Sequence, residues 1–155
     1  MTLDEQIRQY LCGSPLDWYC ENHANLVDDP GEKTLYMAIS FALRKVGNSR
    51  IIINDDSRFW TIDQVVRVAF LASIDPLRAN HKLWIDRLWS TADQNELVAF
   101  YQGIYYLSEP LFWLDKALFA ARSNMTTIFK SIAHENIFPS LYFYSIQNLT
   151  TYYIP

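Results

Sequence analysis

The chain has 155 residues, of which 50% are hydrophobic, 15% are aromatic and only 19% are charged. This length predicts a single domain whose core is large enough to fold without disulfides or metal staples. The net charge of −4 and the scattered lysines and arginines argue against a nucleic-acid-binding surface. No apolar stretch approaches the roughly 20 residues that a membrane-spanning helix needs.

The first residues, MTLDEQIRQYL, are charged and lack the apolar run of a secretory signal. Cys12 and Cys20 are too few for a disulfide framework. We therefore expect reduced thiols and a cytoplasmic protein.

Three helices are predicted in the first third of the chain. Thr2 and Glu5 have the spacing of a capping box and predict the first helix. Ser14-Pro15 predicts the start of a second helix. A third helix is expected from about Glu32 to Val46, because Gly47 follows as a C-terminal cap.

Residues 48–59 are predicted to form a polar loop. We interpret Ile51 to Ile53 as a loop anchor, because no second strand is evident that could pair with it. Thr61 and Gln64 then form a second capping-box pattern. The helix that follows is apolar on nearly all sides, which predicts a central, buried position.

Further helix starts are predicted at Asp75-Pro76, Thr91, Ser108-Glu109-Pro110 and Asn124. The total is about eight short helices packed as antiparallel pairs, so the predicted class is all-α. Trp84-Ile85-Asp86-Arg87 is echoed by Trp113-Leu114-Asp115-Lys116, which is compatible with an α-solenoid-like stacking of helix pairs.

The end of the chain differs from the rest, because no charged side chain follows Glu135. We predict a single helical domain over residues 1–140 and an irregular, aromatic-rich tail over residues 141–155. The tail could pack over the helical core or offer a surface to a partner. A third interpretation is a chain cut short relative to its relatives.

Three segments carry a family resemblance: WTIDQVVRVAFL, STADQNELVAFYQGIYYL and AARSNMTTIF, the last followed by AHEN and Phe138-Pro139. Over about residues 58–140 the chain resembles the EboA family, the first product of the bacterial ebo gene clusters. The resemblance implies a helical protein in the trafficking of secondary-metabolite precursors, encoded beside a prenyltransferase-like membrane protein. Tyr144 to Pro155 departs from the family's pattern.

Asp93 and Glu96 are three residues apart at a helix start, so their side chains share a face. They could serve as a carboxylate pair for acid–base chemistry or a divalent metal. The simpler interpretation is that they complement the helix dipole.

Arg122 ends an apolar run and could bind a carboxylate or phosphate. Alternatively, its role is structural: it places positive charge at the favourable C-terminal end of a helix, or it forms a buried ion pair with Glu96 or Asp93. We favour the structural role, with the ion pair as the preferred form. Asn124 reads as an N-cap and Asn136 as a helix stop.

His134-Glu135 does not have the spacing of a zinc HExxH motif, and Cys12, Cys20 and His23 lack a second ligand pair. We therefore expect no metal and no cofactor. Tyr101 belongs to an aromatic cluster that could line a pocket for an aromatic or prenylated metabolite, or could simply form core. The cluster consists of Tyr101, Tyr105, Tyr106, Phe112 and Trp113.

These observations favour a non-enzymatic scaffold or adaptor that docks other proteins of a metabolite-trafficking pathway. Peripheral contact with the inner face of the cytoplasmic membrane is part of this expectation. The alternative is a small-molecule-binding protein or enzyme that uses Glu96 and Arg122 beside aromatic residues.

Overall fold

The computed structural model describes residues 1–54 and 56–143. These residues are mostly helical, which confirms the all-α class. In chain order the elements are α1 (Leu3–Tyr10), α2 (Gly13–Asp28), α3 (Glu32–Val46), β1 (Arg50–Ile53), β2 (Asp56–Thr61), α4 (Ile62–Ala72), α5 (His81–Thr91), α6 (Gln94–Gln102), a 3-10 helix (Ile104–Tyr106), α7 (Pro110–Ala121) and α8 (Thr126–Ala133).

Helix α4 lies at the centre of the fold, as its all-round apolar sequence predicts. Helices α1, α2, α3 and α6 all pack against it, and α8 packs against both α6 and α7. Gly103, just after α6, allows a close approach to α4. A Cβ atom at this position would lie 2.2 Å from a methyl carbon of Val68.

Helix α4 also holds a buried ion pair that the sequence analysis did not predict. Arg67 Nη1 donates to Asp63 Oδ2 at 2.9 Å, and both side chains are less than a tenth exposed. The Arg67 guanidinium also donates to the backbone carbonyl of Ile39 on α3. The Thr61 hydroxyl donates to Asp63 at 2.7 Å, so the carboxylate has a second partner. The pair joins α4 to α3 inside the core.

The predicted loop over residues 48–59 is wrong. Strands β1 and β2 form an antiparallel hairpin in which Ile51 pairs with Trp60. Asn54 adopts a left-handed conformation, with φ of 47°, at the end of β1. Asparagine tolerates this conformation better than most residues, which allows a tight turn here. The second strand was missed because Asp56 to Thr61 carries few β-branched residues.

Three predicted helix starts are also wrong. Residues 75–80 form turns, and α5 begins at His81. Thr91 ends α5 and Asp93 caps α6, while the predicted helix through Leu107 breaks at Gly103 into a separate 3-10 turn. The N-cap of α8 is Met125 rather than Asn124.

The end of the described region is held by Asn136. Its side-chain amide donates to the carbonyls of Tyr101 and Ser131, and its oxygen accepts from the Phe138 backbone N–H. Residues 137–143 are helical. Asn136 therefore begins a helical segment as well as following α8. The predicted irregular tail is therefore wrong over residues 141–143, which belong to this helical segment, and its remainder, residues 144–155, lies outside the described residues.

Candidate functional site

Asp93 and Glu96 form a reciprocal capping box at the start of α6. Glu96 N donates to Asp93 Oδ1 at 2.8 Å, and Asp93 N donates to Glu96 Oε2 at 3.0 Å. Both carboxylates therefore use oxygen lone pairs to satisfy backbone donors that the helix leaves free. This geometry agrees with the structural interpretation of the two residues at a helix N-terminus.

The expected ion pair between Arg122 and Glu96 or Asp93 is not formed. The Arg122 side chain is exposed at the C-terminal end of α7, and Glu96 is buried within its capping box. Within the described part of the chain, no carboxylate lies within ion-pair distance of Arg122. The prediction failed because it considered the charges but not the backbone donors that compete for Glu96.

Arg122 instead borders a groove between α6, α7 and α8, which we call the α7 groove. Its cavity volume is about 680 Å³. The walls are mainly apolar, and they carry the charges of Asp115 and Arg122 and the amide of Asn124. The lining residues are Leu97, Tyr101, Asp115, Leu118, Phe119, Arg122, Ser123, Asn124, Met125 and Ile128. Three of the sequence-predicted candidates, Tyr101, Arg122 and Asn124, therefore meet at one place.

Tyr101 contributes to this wall from the core side. Its ring is almost fully buried, and its hydroxyl accepts a hydrogen bond from Trp89 Nε1 at 3.0 Å. Burial raises the pKa of the Tyr101 phenol. Trp113 is also buried, and its ring packs against Trp89. These aromatic residues therefore serve chiefly as core.

His134 lies apart from the α7 groove. Its side chain is 73% exposed and lies 3.8 Å from Glu135. It lines a different groove, beside the hairpin. The structure thus does not unite the six candidates into one site: Asp93 and Glu96 cap a helix, and His134 lies elsewhere.

A polar cluster centred on Asp56, at the start of β2, was not predicted from the sequence. The Asp56 carboxylate accepts hydrogen bonds from the Arg58 guanidinium, from Trp60 Nε1 and from the Tyr106 hydroxyl. Arg58 also donates to the backbone carbonyl of Gln102. The cluster ties the hairpin to the end of α6. Its members alternate along β2, and this was the signal that could have revealed it.

The Asp56 cluster shifts two pKa values in opposite directions. Burial by itself raises the pKa of Asp56, but the hydrogen bonds from Arg58 and Trp60 outweigh burial and lower it to about 2. Burial and the bond to Asp56 raise the pKa of Tyr106 to about 12. Asp56 is therefore a carboxylate and Tyr106 a neutral phenol at neutral pH.

A second missed cluster joins α1 to α2. The Tyr19 hydroxyl donates to Asp4 at 2.9 Å, and Arg8 donates to the same carboxylate at 3.0 Å. His23 Nδ1 lies 3.5 Å from Asp4. Burial lowers the pKa of His23. The arrangement links the two helices through satisfied polar contacts.

Within residues 1–54 and 56–143, no three His, Cys, Asp or Glu side chains come together where a metal ion could be held. None of the helices in this part of the chain has the length and apolar character needed to cross a bilayer.

Comparisons with known proteins place these features in a family. No curated protein and no solved structure matches the chain. A family model described as metabolite traffic protein EboA matches residues 1–149. The match extends the resemblance over residues 58–140 to the N-terminal helices and to part of the segment that was expected to depart from the pattern. This coverage shows that the chain belongs to the EboA family of metabolite traffic proteins.

Proposed function

We propose that this chain is a helical adaptor in bacterial secondary-metabolite traffic, and that it docks partner proteins of its pathway through the α7 groove. One observation carries the proposal: two large apolar side chains of α7 point into solvent. Leu111 is 70% exposed and Phe119 is 72% exposed. Phe119 lines the α7 groove, and Leu111 lies about two turns earlier on the same helix. Exposed apolar surface with a polar rim is typical of a protein-interaction site.

The outward residues of α7, together with Arg122 just after it, follow helical spacing. Leu111, Asp115, Leu118, Phe119 and Arg122 are separated by four, three, one and three residues, so they form one outward stripe, in which Leu118 is half-buried and the other four are exposed. Met125 adds a flexible side chain at the end of the groove, and methionine adapts well to varied partner surfaces. An apolar side chain of a partner could therefore insert beside Phe119.

The rim charges define the partner further. Arg122 and Asp115 lie on the stripe without an ion pair to any described residue. We infer a partner segment, such as an amphipathic helix, with apolar anchors and an acidic side chain facing Arg122. A cytoplasmic location at the inner face of the membrane would bring the chain to a membrane-embedded pathway protein.

The alternative function, a small-molecule or catalytic site built from Glu96 and Arg122, has weaker support. Glu96 is engaged in the capping box, and it does not line the α7 groove with Arg122. The two groups therefore do not converge on a shared ligand position.

The proposal is tested by co-purification of the tagged chain with proteins encoded beside it. The variant Leu111→Ser with Phe119→Ser removes the two exposed anchors. We expect the partner captured by the wild-type chain to be lost or reduced at least about tenfold, because a few anchor side chains that become buried on binding carry most of the binding energy of an interface.

The matched control is Ile52→Ser with Leu77→Ser. These side chains are 67% and 65% exposed, and they lie on β1 and in the turn before α5. The control should retain the partner and the wild-type circular dichroism spectrum. Equal loss in both variants, or no capture of any pathway protein by the wild type, would contradict the adaptor proposal.

A further inference from the structure

A second groove lies between the hairpin, α6 and α8, and we call it the hairpin groove. Its cavity volume is about 490 Å³, within the range of small-molecule sites. Residues from three elements meet there: Arg50 and Phe59 from the hairpin, Val98 from α6, and Lys130 from α8. It shares no lining residue with the α7 groove.

Positive charge is concentrated in the hairpin groove although the chain as a whole has a net charge of −4. Arg50 and Lys130 both line it, and neither forms an ion pair with another described residue. Arg58 also lines the groove, but its charge is neutralised by Asp56 at 2.7 Å. Among the described lining residues there is one carboxylate, that of Glu135, and it lies 3.8 Å from His134.

An aromatic surface adjoins these cations. The Phe59 ring is 59% exposed, and the Arg50 guanidinium lies 5.0 Å from its centre. Val98 continues the apolar wall on α6. Gln102 Nε2 donates to the Phe59 carbonyl at 2.6 Å, and this bond holds the strand against the helix. The wall of the groove thus has a defined position between the hairpin and α6.

We infer that the hairpin groove binds a small anionic molecule with a flat apolar part. Its acid group, a carboxylate or a phosphate ester, lies between Arg50 and Lys130, which supply the two uncompensated charges. Its ring packs against Phe59 and Val98. This inference does not depend on the adaptor function, because the two grooves are separate.

The inference is tested by calorimetric titration of the full chain with 1-naphthyl phosphate. Neutral 1-naphthol and inorganic phosphate serve as probes that each lack one half of the ligand. We expect 1-naphthyl phosphate to bind at least about tenfold more tightly than either. Titration with 1-naphthoate then distinguishes a carboxylate ligand from a phosphate ester. Whichever of 1-naphthoate and 1-naphthyl phosphate binds more tightly carries the acid group that the groove prefers.

Two variants assign the binding to the groove. Arg50→Gln with Lys130→Gln should raise the Kd for 1-naphthyl phosphate at least tenfold, a change of about 1.4 kcal/mol. Phe59→Ser should weaken the naphthyl probe but leave the affinity for inorganic phosphate unchanged.

The matched control is Arg44→Gln with Lys45→Gln, which removes the same charge from exposed positions on α3. It should leave the Kd within about twofold of the wild type. Equal weakening by the control, unchanged binding in the Arg50/Lys130 variant, 1-naphthol binding as tightly as the phosphate, or no binding of any probe would overturn the inference.

Discussion

Helices α4 and α7 are both largely apolar, and each carries an acidic residue with an arginine further along the chain, but the two pairs lie in opposite environments. In α4, Asp63 and Arg67 are buried and paired at 2.9 Å. On the outer side of α7, Asp115 and Arg122, the residue after the helix, are exposed beside a groove, and no ion pair joins them. The first pair is four residues apart and shares a helix face, whereas the second is separated by seven residues, about two turns. Lys116 of α7 is instead paired with Asp86 of α5 at 2.8 Å.

The difference shows how position in the fold decides the role of a charge. A charge inside the core must be paired, because an isolated buried ion carries a desolvation cost of several kcal/mol. A charge at the surface has no such requirement and remains available to a partner. Within the described residues, every buried side-chain nitrogen or oxygen has a hydrogen-bond partner. Binding functions are therefore best sought at the edges, in the α7 and hairpin grooves.

The strongest test of this difference is to remove the acidic residue of each helix, Asp63 on α4 and Asp115 on α7. Asp63→Ala leaves Arg67 buried without its carboxylate, and we expect a loss of about 3–5 kcal/mol in the free energy of unfolding. Asp115→Ala on α7 should change it by less than about 0.5 kcal/mol. Urea denaturation measures both values. Similar losses in the two variants would show that the two helices do not differ in this way.

Asp56 offers an intermediate case, since its carboxylate is mostly buried but lies near the surface. Asp56→Asn removes the charge that pairs with Arg58, and we expect a loss of about 2 kcal/mol at pH 7, because hydrogen bonds to charged groups contribute about 1.5–3 kcal/mol. Urea denaturation at a series of pH values measures this loss.

The pH dependence follows from the lowered pKa. Folding lowers the pKa of Asp56 from 3.8 to about 2, so the folded state favours the ionised carboxylate. Its contribution is present above pH 3.8 and is lost as pH falls toward 2. The stability difference between the wild type and Asp56→Asn should therefore shrink over this window. A difference that stays constant down to pH 2 would contradict the lowered pKa.

The smallest expected effects on stability are those of Glu96 and Arg122 variants. They distinguish the capping box of Glu96 from the ion pair with Arg122 that was first expected. Glu96→Gln should cost less than about 1 kcal/mol, because the amide oxygen can still accept the Asp93 N–H. Arg122→Gln should have almost no effect on stability, since the side chain is exposed. In a double-mutant cycle by urea denaturation, their coupling should be within about 0.5 kcal/mol of zero. A coupling above about 1 kcal/mol would show that Glu96 and Arg122 interact directly, as in the ion pair that was first expected.

Local signals predicted much of the fold. The predicted capping box at Thr2, the glutamine arm of the box at Thr61 and the C-terminal cap at Gly47 are all present. The capping box at Asp93 was not predicted, because Asp93 and Glu96 were recognised only as first-turn charges. Such signals act within one helical turn, so they can be read without knowledge of the rest of the chain.

The hairpin and the sites could not be read in the same way. Ile51 pairs with Trp60, and Tyr106 reaches Asp56 across 50 positions of the chain. Arg122 could have turned toward Glu96, but the tertiary packing leaves it at the surface. Contacts between distant residues depend on how helices and strands pack, and a single sequence does not contain that information directly.

The sequence by itself determined that this protein is helical, that α4 lies inside it, and that it resembles the EboA family. Helical periodicity, caps and all-round apolar character are local properties of the sequence, so they do not depend on how the helices pack against one another. The tertiary structure decided which charges are buried and which remain exposed. It buried Asp63 and Arg67 together, where desolvation makes pairing obligatory, and it left Arg50, Arg122 and Lys130 at grooves, where water stabilises their charges.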